Sequence, residues 1–114
     1  MYTSFSKTFV GFYFAKSIRK RKIMDGHKIN QIVTRWESQG FTCEIWKSLP
    51  GKGWSHPGHE ADELFVLLEG EMEVSIGAKK YHLQVGEEFL VPAKEPHTTV
   101  NMGGNTNRFY WIHK

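Results

Sequence analysis

After residue 24 the chain reads as short runs in which apolar and polar positions alternate, cut at intervals by Gly- and Pro-containing clusters. Gln31–Glu37 has alternating character, and Phe41–Lys47 puts Phe41, Cys43 and Ile45 on one face and Trp46 on the other. A Pro/Gly cluster at 49–53 marks a loop. Leu64–Leu68 is a continuous apolar run, as expected for a strand covered on both faces. A turn at 69–71 leads into Met72, Val74 and Ile76, which alternate with Glu71, Glu73 and Ser75. A hairpin at 77–80 precedes a strand over 81–85, a turn at 86–88 precedes Phe89–Val91, and Pro92–Pro96 is a loop. His97–Asn101, a turn at 103–105 and Arg108–His113 complete the chain. No stretch after Met24 is read as having the apolar spacing of a helix. The pattern therefore predicts an all-β sandwich or barrel.

Length and charge narrow this picture. At 114 residues there is room for one domain with one core. No apolar run approaches the ~20 residues needed to span a bilayer. Cys43 is the single cysteine, so no intramolecular disulfide can form; it reads as a buried strand residue rather than a nucleophile. The net charge of +3 is unevenly spread. Residues 1–23 carry Lys7, Lys16, Arg19, Lys20, Arg21 and Lys22 with no acid, whereas residues 24–114 carry nine Lys/Arg against twelve Asp/Glu, a net −3. The basic character thus belongs to an N-terminal arm, and the body gives no reason to expect nucleic-acid or membrane binding. Residues 1–23 are set aside as an irregular, aromatic and basic extension, with 24–114 as the domain and Met24 as its natural start. An organelle presequence or a membrane-surface segment are the other readings of that arm. The expected compartment is the cytoplasm.

The chemistry-bearing stretch is Trp54–Gly70, WSHPGHEADELFVLLEG. His56, His59 and Glu63 are ligand types suited to Zn, Mn, Fe, Ni or Cu, and His97 follows a Pro-marked loop downstream. Two strands delivering such groups to one interior point would make a site for one divalent transition metal. No nucleophile elbow, P-loop or dinucleotide-binding glycine pattern competes with it.

The spacing resembles the paired motifs of the cupin family, G-x5-H-x-H-x3,4-E-x6-G and G-x5-P-x-G-x2-H-x3-N. The chain reads Gly51, five residues, Pro57, one residue, His59, three residues, Glu63, six residues, Gly70. Fifteen residues on, it reads Gly86, five residues, Pro92, one residue, Lys94, two residues, His97, three residues, Asn101. The resemblance implies a double-stranded β-helix, or jelly-roll barrel, with an interior metal held by His59, Glu63 and His97. It departs from the pattern at two positions. Lys94 stands where the second motif has glycine, which suggests a different turn there with little effect on the site. Pro57 stands where the first motif has its first metal-binding histidine. A one-residue shift in a regular strand would turn His56 to the opposite face, and a bulge or turn at Pro57-Gly58 would restore it as a fourth ligand.

Trp54, Phe65, Asn101 and Trp111 are the candidates for a substrate surface, with Asn101 the best placed to fix a turn. Trp46 and Tyr110 read as core or rim aromatics, His82 as a surface strand residue, and Glu60 and Asp62 as solvated or loop-bonding acids. Arg35 and Arg108 read as surface ion-pair partners. No catalytic acid, base or nucleophile is identified beyond the metal ligands. The functional expectation is a metal-dependent enzyme acting on a small organic molecule, oxygenase chemistry first, then isomerase or lyase chemistry. A non-catalytic binding or sensing module, and a structural protein with a vestigial site, are the alternatives. The resemblance also implies a homodimer, which an apolar outer sheet face would suit.

Overall fold

The computed structural model describes residues 24–114, so the N-terminal arm and every reading of it lie outside the described residues. One helix, α1 (Gly26–Glu37), precedes eight strands: β1 (Thr42–Ser48), β2 (Gly53–His56), β3 (Glu63–Glu69), β4 (Glu73–Ile76), β5 (Lys79–His82), β6 (Glu88–Val91), β7 (His97–Val100) and β8 (Asn107–His113). They form two antiparallel four-stranded sheets, in the orders β1-β8-β3-β6 and β2-β7-β4-β5. This is the two-sheet jelly-roll arrangement, with its core between the inner faces.

β3 shows how the pattern builds it. Phe65 and Leu67 point between the sheets, joining Met72, Val74, Leu83, Val91 and Phe109 in the inner core. Leu64, Val66 and Leu68 point to the other side, where they pack with Met24, Ile32 and Ile112. Every residue from Glu63 to Leu68 is buried, which is why the run is continuously apolar after its first position. A register shift against β8 between Leu67 and Glu69 ends the regular pairing just before the turn at Gly70.

The cover on the outer side is α1, and here the expectation of a strand over 31–37 is overturned. Ile29, Ile32, Val33 and Trp36 are spaced i, i+3, i+4, i+7, a helical stripe that places Ile32 against β3 and β8. Asp25 caps the helix by accepting from the Lys28 N–H at 3.3 Å. Arg35 donates two bonds to Glu88 on β6, at 2.7 and 3.1 Å, and the Trp36 indole N–H adds a third at 2.7 Å, pinning the helix to the sheet edge. The outer apolar face that suggested a dimer is thus occupied in large part by the chain's own helix. Several strand boundaries also differ from expectation: the strand read over 81–85 spans Lys79–His82, and β6 begins at Glu88, inside the expected turn. Residues 53–56 form β2 directly after the loop, and the hairpin turn is only Gly77-Ala78, with Ile76 opposite Lys79. No helix among the described residues is long and apolar enough to cross a membrane.

Candidate metal centre

Glu63 opens β3, His97 opens β7 and His56 closes β2, so each side chain leaves the end of a regular strand whose pleat sets its direction. His56 lies directly opposite His97 in the β2–β7 pair, and opposed residues of an antiparallel pair share a face. His56 therefore faces the barrel interior, as Trp54 does, while Ser55 and Thr98 bond to each other at 2.8 Å on the exposed face. His59 arrives from the 57–62 loop. Gly58 adopts φ +117, and a Cβ there would sit 2.7 Å from the Lys94 carbonyl carbon, so glycine is what allows the two loops to touch.

Lys94 takes φ +66, the conformation a glycine would adopt, so the expectation of a different turn does not hold. Its N–H donates to the His59 carbonyl at 2.7 Å, and the Ala93 N–H donates to Asp62 Oδ1 at 2.8 Å. These two bonds clamp the loop carrying His59 onto the loop before His97. Asp62 is thus a loop-bonding acid.

Glu63 Oε2 lies 3.2 Å from His59 Nε2 and 3.1 Å from His97 Nε2, and ligand atoms from the three residues all fall within 4.8 Å of one another. Two ligands ~2.1 Å from one ion and at right angles to each other sit about 3 Å apart, so the spacing suits a shared cation. The protonation pattern suits it as well. His97 Nδ1 is 2.9 Å from the Glu95 carbonyl, which can only accept, so the proton is on Nδ1. Nε2, the atom left to face the centre, is buried, has no hydrogen-bond partner among the described residues and lies against a carboxylate oxygen. A cation shared by the two atoms satisfies both, as a proton on Nε2 would. Burial pushes the His59 imidazole below its ordinary 6.5, with neighbouring His56, His97 and His113 adding to the effect and the Glu63 carboxylate opposing it. Its ring is neutral at pH 7 and keeps a lone pair to offer. Behind the cluster, the Trp111 indole N–H donates to Glu63 Oε1 at 2.7 Å and fixes the carboxylate, as outer partners of metal ligands do.

His56 stands apart from this group. Its ring stacks on His59 at 3.7 Å and 12°, and its Nδ1 accepts the Gly58 N–H at 3.0 Å. That bond occupies the ring's one lone pair and leaves Nε2 as an N–H donor.

The cluster opens into a cavity of about 330 Å³ lined by Trp46, Trp54, His56, His59, Glu63 and Trp111. Trp54 and Trp111 thus reach the cavity wall. Phe65 is fully buried and meets the His97 ring edge-on at 6.1 Å, backing the centre from the core. Asn101 is buried in the turns beyond β7, bonding the Ser48 and Asn105 carbonyls and the Gly103 N–H, and does not line the cavity. Trp46, read as a core or rim aromatic, forms part of the cavity wall, and one feature escaped the sequence reading: the indole of Trp111 as a support for Glu63. Strand alternation had put Trp46 on the face opposite Cys43, which is the inner one. The Trp111–Glu63 bond joins positions 48 apart and leaves no local pattern. Arg108 pairs with Glu69 at 3.3 Å, and His82 is largely exposed. Burial raises the pKa of Cys43, which argues against a nucleophilic role.

A family model described as "Cupin domain" matches residues 45–113. The chain belongs to the cupin family. This cupin is similar to the protein named "Endoribonuclease YbeY" of Myxococcus xanthus, with 29% identity over 80 residues, 66% of this chain and 27% of that protein. It is also similar to "Quercetin 2,3-dioxygenase" of Bacillus subtilis, with 26% identity over 89 residues, 75% of this chain and 26% of that protein. It spans about a quarter of the length of these curated relatives. Among solved structures it resembles a cupin superfamily protein of Desulfitobacterium hafniense at 19% identity and TM-score 0.57, covering 64% of this chain and 65% of that one. That likeness shows the shared fold.

Proposed function

We propose that this cupin is a metal-dependent enzyme, oxygenase-type, in which His59, Glu63 and His97 hold one divalent transition metal beside a cavity for a small organic molecule. The observation that carries the reading is the convergence of His59, Glu63 and His97, with the buried Nε2 of His97 set 3.1 Å from Glu63 Oε2 and without a hydrogen-bond partner. Two imidazoles and one carboxylate are a donor set suited to Fe, Mn, Zn, Ni or Cu, and such an ion, when bound, supplies Lewis acidity and positions open to a ligand. The chain's own contribution is positional. Trp111 holds the carboxylate, the Glu95 carbonyl holds the His97 tautomer, and three indoles exclude water from one side of the cavity. The name of the Bacillus relative supports dioxygenase chemistry as the first option. An RNA substrate, suggested by the name of the Myxococcus relative, is disfavoured by the body's net −3.

A binding or sensing module is the second reading. It is favoured by the bonding of His56, whose neutral, fixed tautomer leaves the cavity without an obvious free general base. Elemental analysis of protein purified without chelators, followed by anaerobic reconstitution and an oxygen-uptake screen over small aromatic and aliphatic acids, separates the readings. Uptake that depends on His97 supports the enzyme, and saturable binding without uptake supports the module. Protein that takes up no divalent metal refutes the metal-dependent enzyme.

A further inference from the structure

The cavity wall is unusual in chemistry for its size. At about 330 Å³ it lies near the lower end of the ~300–1,000 Å³ range of small-molecule pockets, enough for a molecule of one or two rings. Three of its six lining residues are tryptophans. Trp46 sits 6.2 Å from Trp54 at 41° and 6.2 Å from Trp111 at 75°, so the indoles offer differently inclined surfaces. Two of the three are held fast. Trp54 stacks on Phe109 at 5.7 Å and meets Phe65 edge-on at 6.4 Å. Trp111 stacks on His113 at 3.7 Å and is tied to Glu63 through its N–H. Trp46, 45% exposed on edge strand β1, is the freer one. Walls of this kind are already ordered before a ligand arrives, which lowers the entropy cost of binding.

We propose that the ligand is an aromatic acid: one or two rings bearing a carboxylate or phenolate oxygen, with the rings against Trp46, Trp54 and Trp111. The acidic oxygen faces the His59–Glu63–His97 centre and the Nε2–H of His56. The placement of the oxygen rests on the metal reading above, whereas the preference for an aromatic ring rests on the indoles alone. Offset and edge-to-face ring contacts add to what area burial gives, and the inclined indoles allow both. A sugar would also stack on tryptophan, but its hydroxyls need several hydrogen-bonding side chains. Apart from indole N–H donors, the polar groups of the described wall are His56, His59 and Glu63; two of those are committed to the centre, which leaves few acceptors for hydroxyls. An organic cation would suit the indoles too, but it would meet a bound metal and an N–H donor, both of the wrong sign. His56 acts here as a positioning residue whose tautomer is set by the Gly58 N–H.

The test is titration of zinc-loaded protein with benzoate and with cyclohexanecarboxylate, followed by calorimetry and tryptophan fluorescence. The two share a carboxylate and nearly the same size, and the saturated ring is the more apolar, so area burial alone favours cyclohexanecarboxylate. Benzoate is expected to bind about tenfold more tightly, and Trp46→Leu, on an exposed edge, should remove most of that preference while leaving zinc affinity unchanged. His56→Leu should weaken benzoate and leave the zinc Kd within about twofold. Equal affinities, tighter cyclohexanecarboxylate binding, or a preference that survives both Trp46→Leu and Trp54→Leu overturns the proposal. A loss of zinc in His56→Leu overturns the positioning role. If wild-type protein takes up no zinc, the metal reading fails separately. The neutral pair phenol and cyclohexanol, titrated into metal-free protein, then decides the aromatic half: tighter phenol binding supports it, and equal or weaker phenol binding overturns it.

Discussion

Replacing Trp111 by Phe is the perturbation that isolates how the carboxylate is held. Phe retains a ring between His113 and the cavity but deletes the N–H that donates to Glu63 Oε1 at 2.7 Å. Glu63 is 2% exposed, so no water readily replaces the lost donor. A hydrogen bond to a charged group is worth ~1.5–3 kcal/mol, and losing an outer partner of a metal ligand costs about 10–100-fold in metal affinity. The two scales agree, because a tenfold change is about 1.4 kcal/mol. Part of the bond's worth is already present in metal-free protein, so the lower half of that range is the expectation: a zinc Kd raised about 10- to 30-fold, with a reduced unfolding midpoint. Competition against a chromophoric chelator at pH 7.5 measures it. Trp46→Phe, which alters the same cavity without touching Glu63, is the control and should leave the Kd within twofold. A folded Trp111→Phe protein with wild-type affinity would refute the claim that this indole orients a metal ligand.

Three further outcomes follow from the same geometry. Lys94→Gly should stabilise the domain by about 0.5–1 kcal/mol in urea denaturation, because relief of a left-handed backbone worth ~1–2 kcal/mol exceeds the ~0.4–1 kcal/mol gained by a freer unfolded chain. A destabilised variant would contradict the strain assigned to that φ. Gly58→Ala combines a φ of +117 with a Cβ 2.7 Å from the Lys94 carbonyl carbon, so a loss of at least ~2 kcal/mol and of metal affinity is expected; unchanged values in both would show that the loops can part freely. The Glu88 carboxyl is held below its ordinary 4.5, first by the hydrogen bond from Arg35 and then by the Trp36 N–H and the Arg35 charge, with burial opposing. Its stabilisation is therefore present above about pH 4.5 and fades as pH falls through the lowered value, so Glu88→Gln should flatten the stability profile between about pH 5 and 3. Identical profiles would show that the half-exposed pair contributes nothing measurable.

The barrel and its two site-bearing segments were legible because they depend on residues close in sequence. Gly51, Gly70 and Gly86 all take positive φ where the motifs place glycine, and the spacing from His59 to Glu63 and on to His97 carries through to the cluster. What was illegible depends on partners far along the chain. The helix was missed because Ile32, Thr34 and Trp36 also fit a two-residue period, and β-branched residues weakened the rival stripe through Ile29, Ile32, Val33 and Trp36. The cap at Asp25 was the local signal that could have settled it. Lys94 was misjudged for a different reason. Close packing against Gly58 and the bond to the His59 carbonyl impose a left-handed backbone that lysine would not choose alone. The direction of His56 followed from its register opposite His97, which spacing within one strand cannot reveal.

The most direct measurement is anomalous diffraction from crystals grown with zinc or manganese. One strong peak is expected within ~2.5 Å of His59 Nε2, Glu63 Oε2 and His97 Nε2, with His56 Nε2 outside that distance. A peak elsewhere, or none at these atoms in protein saturated with the ion, would contradict a metal centre built from those three side chains.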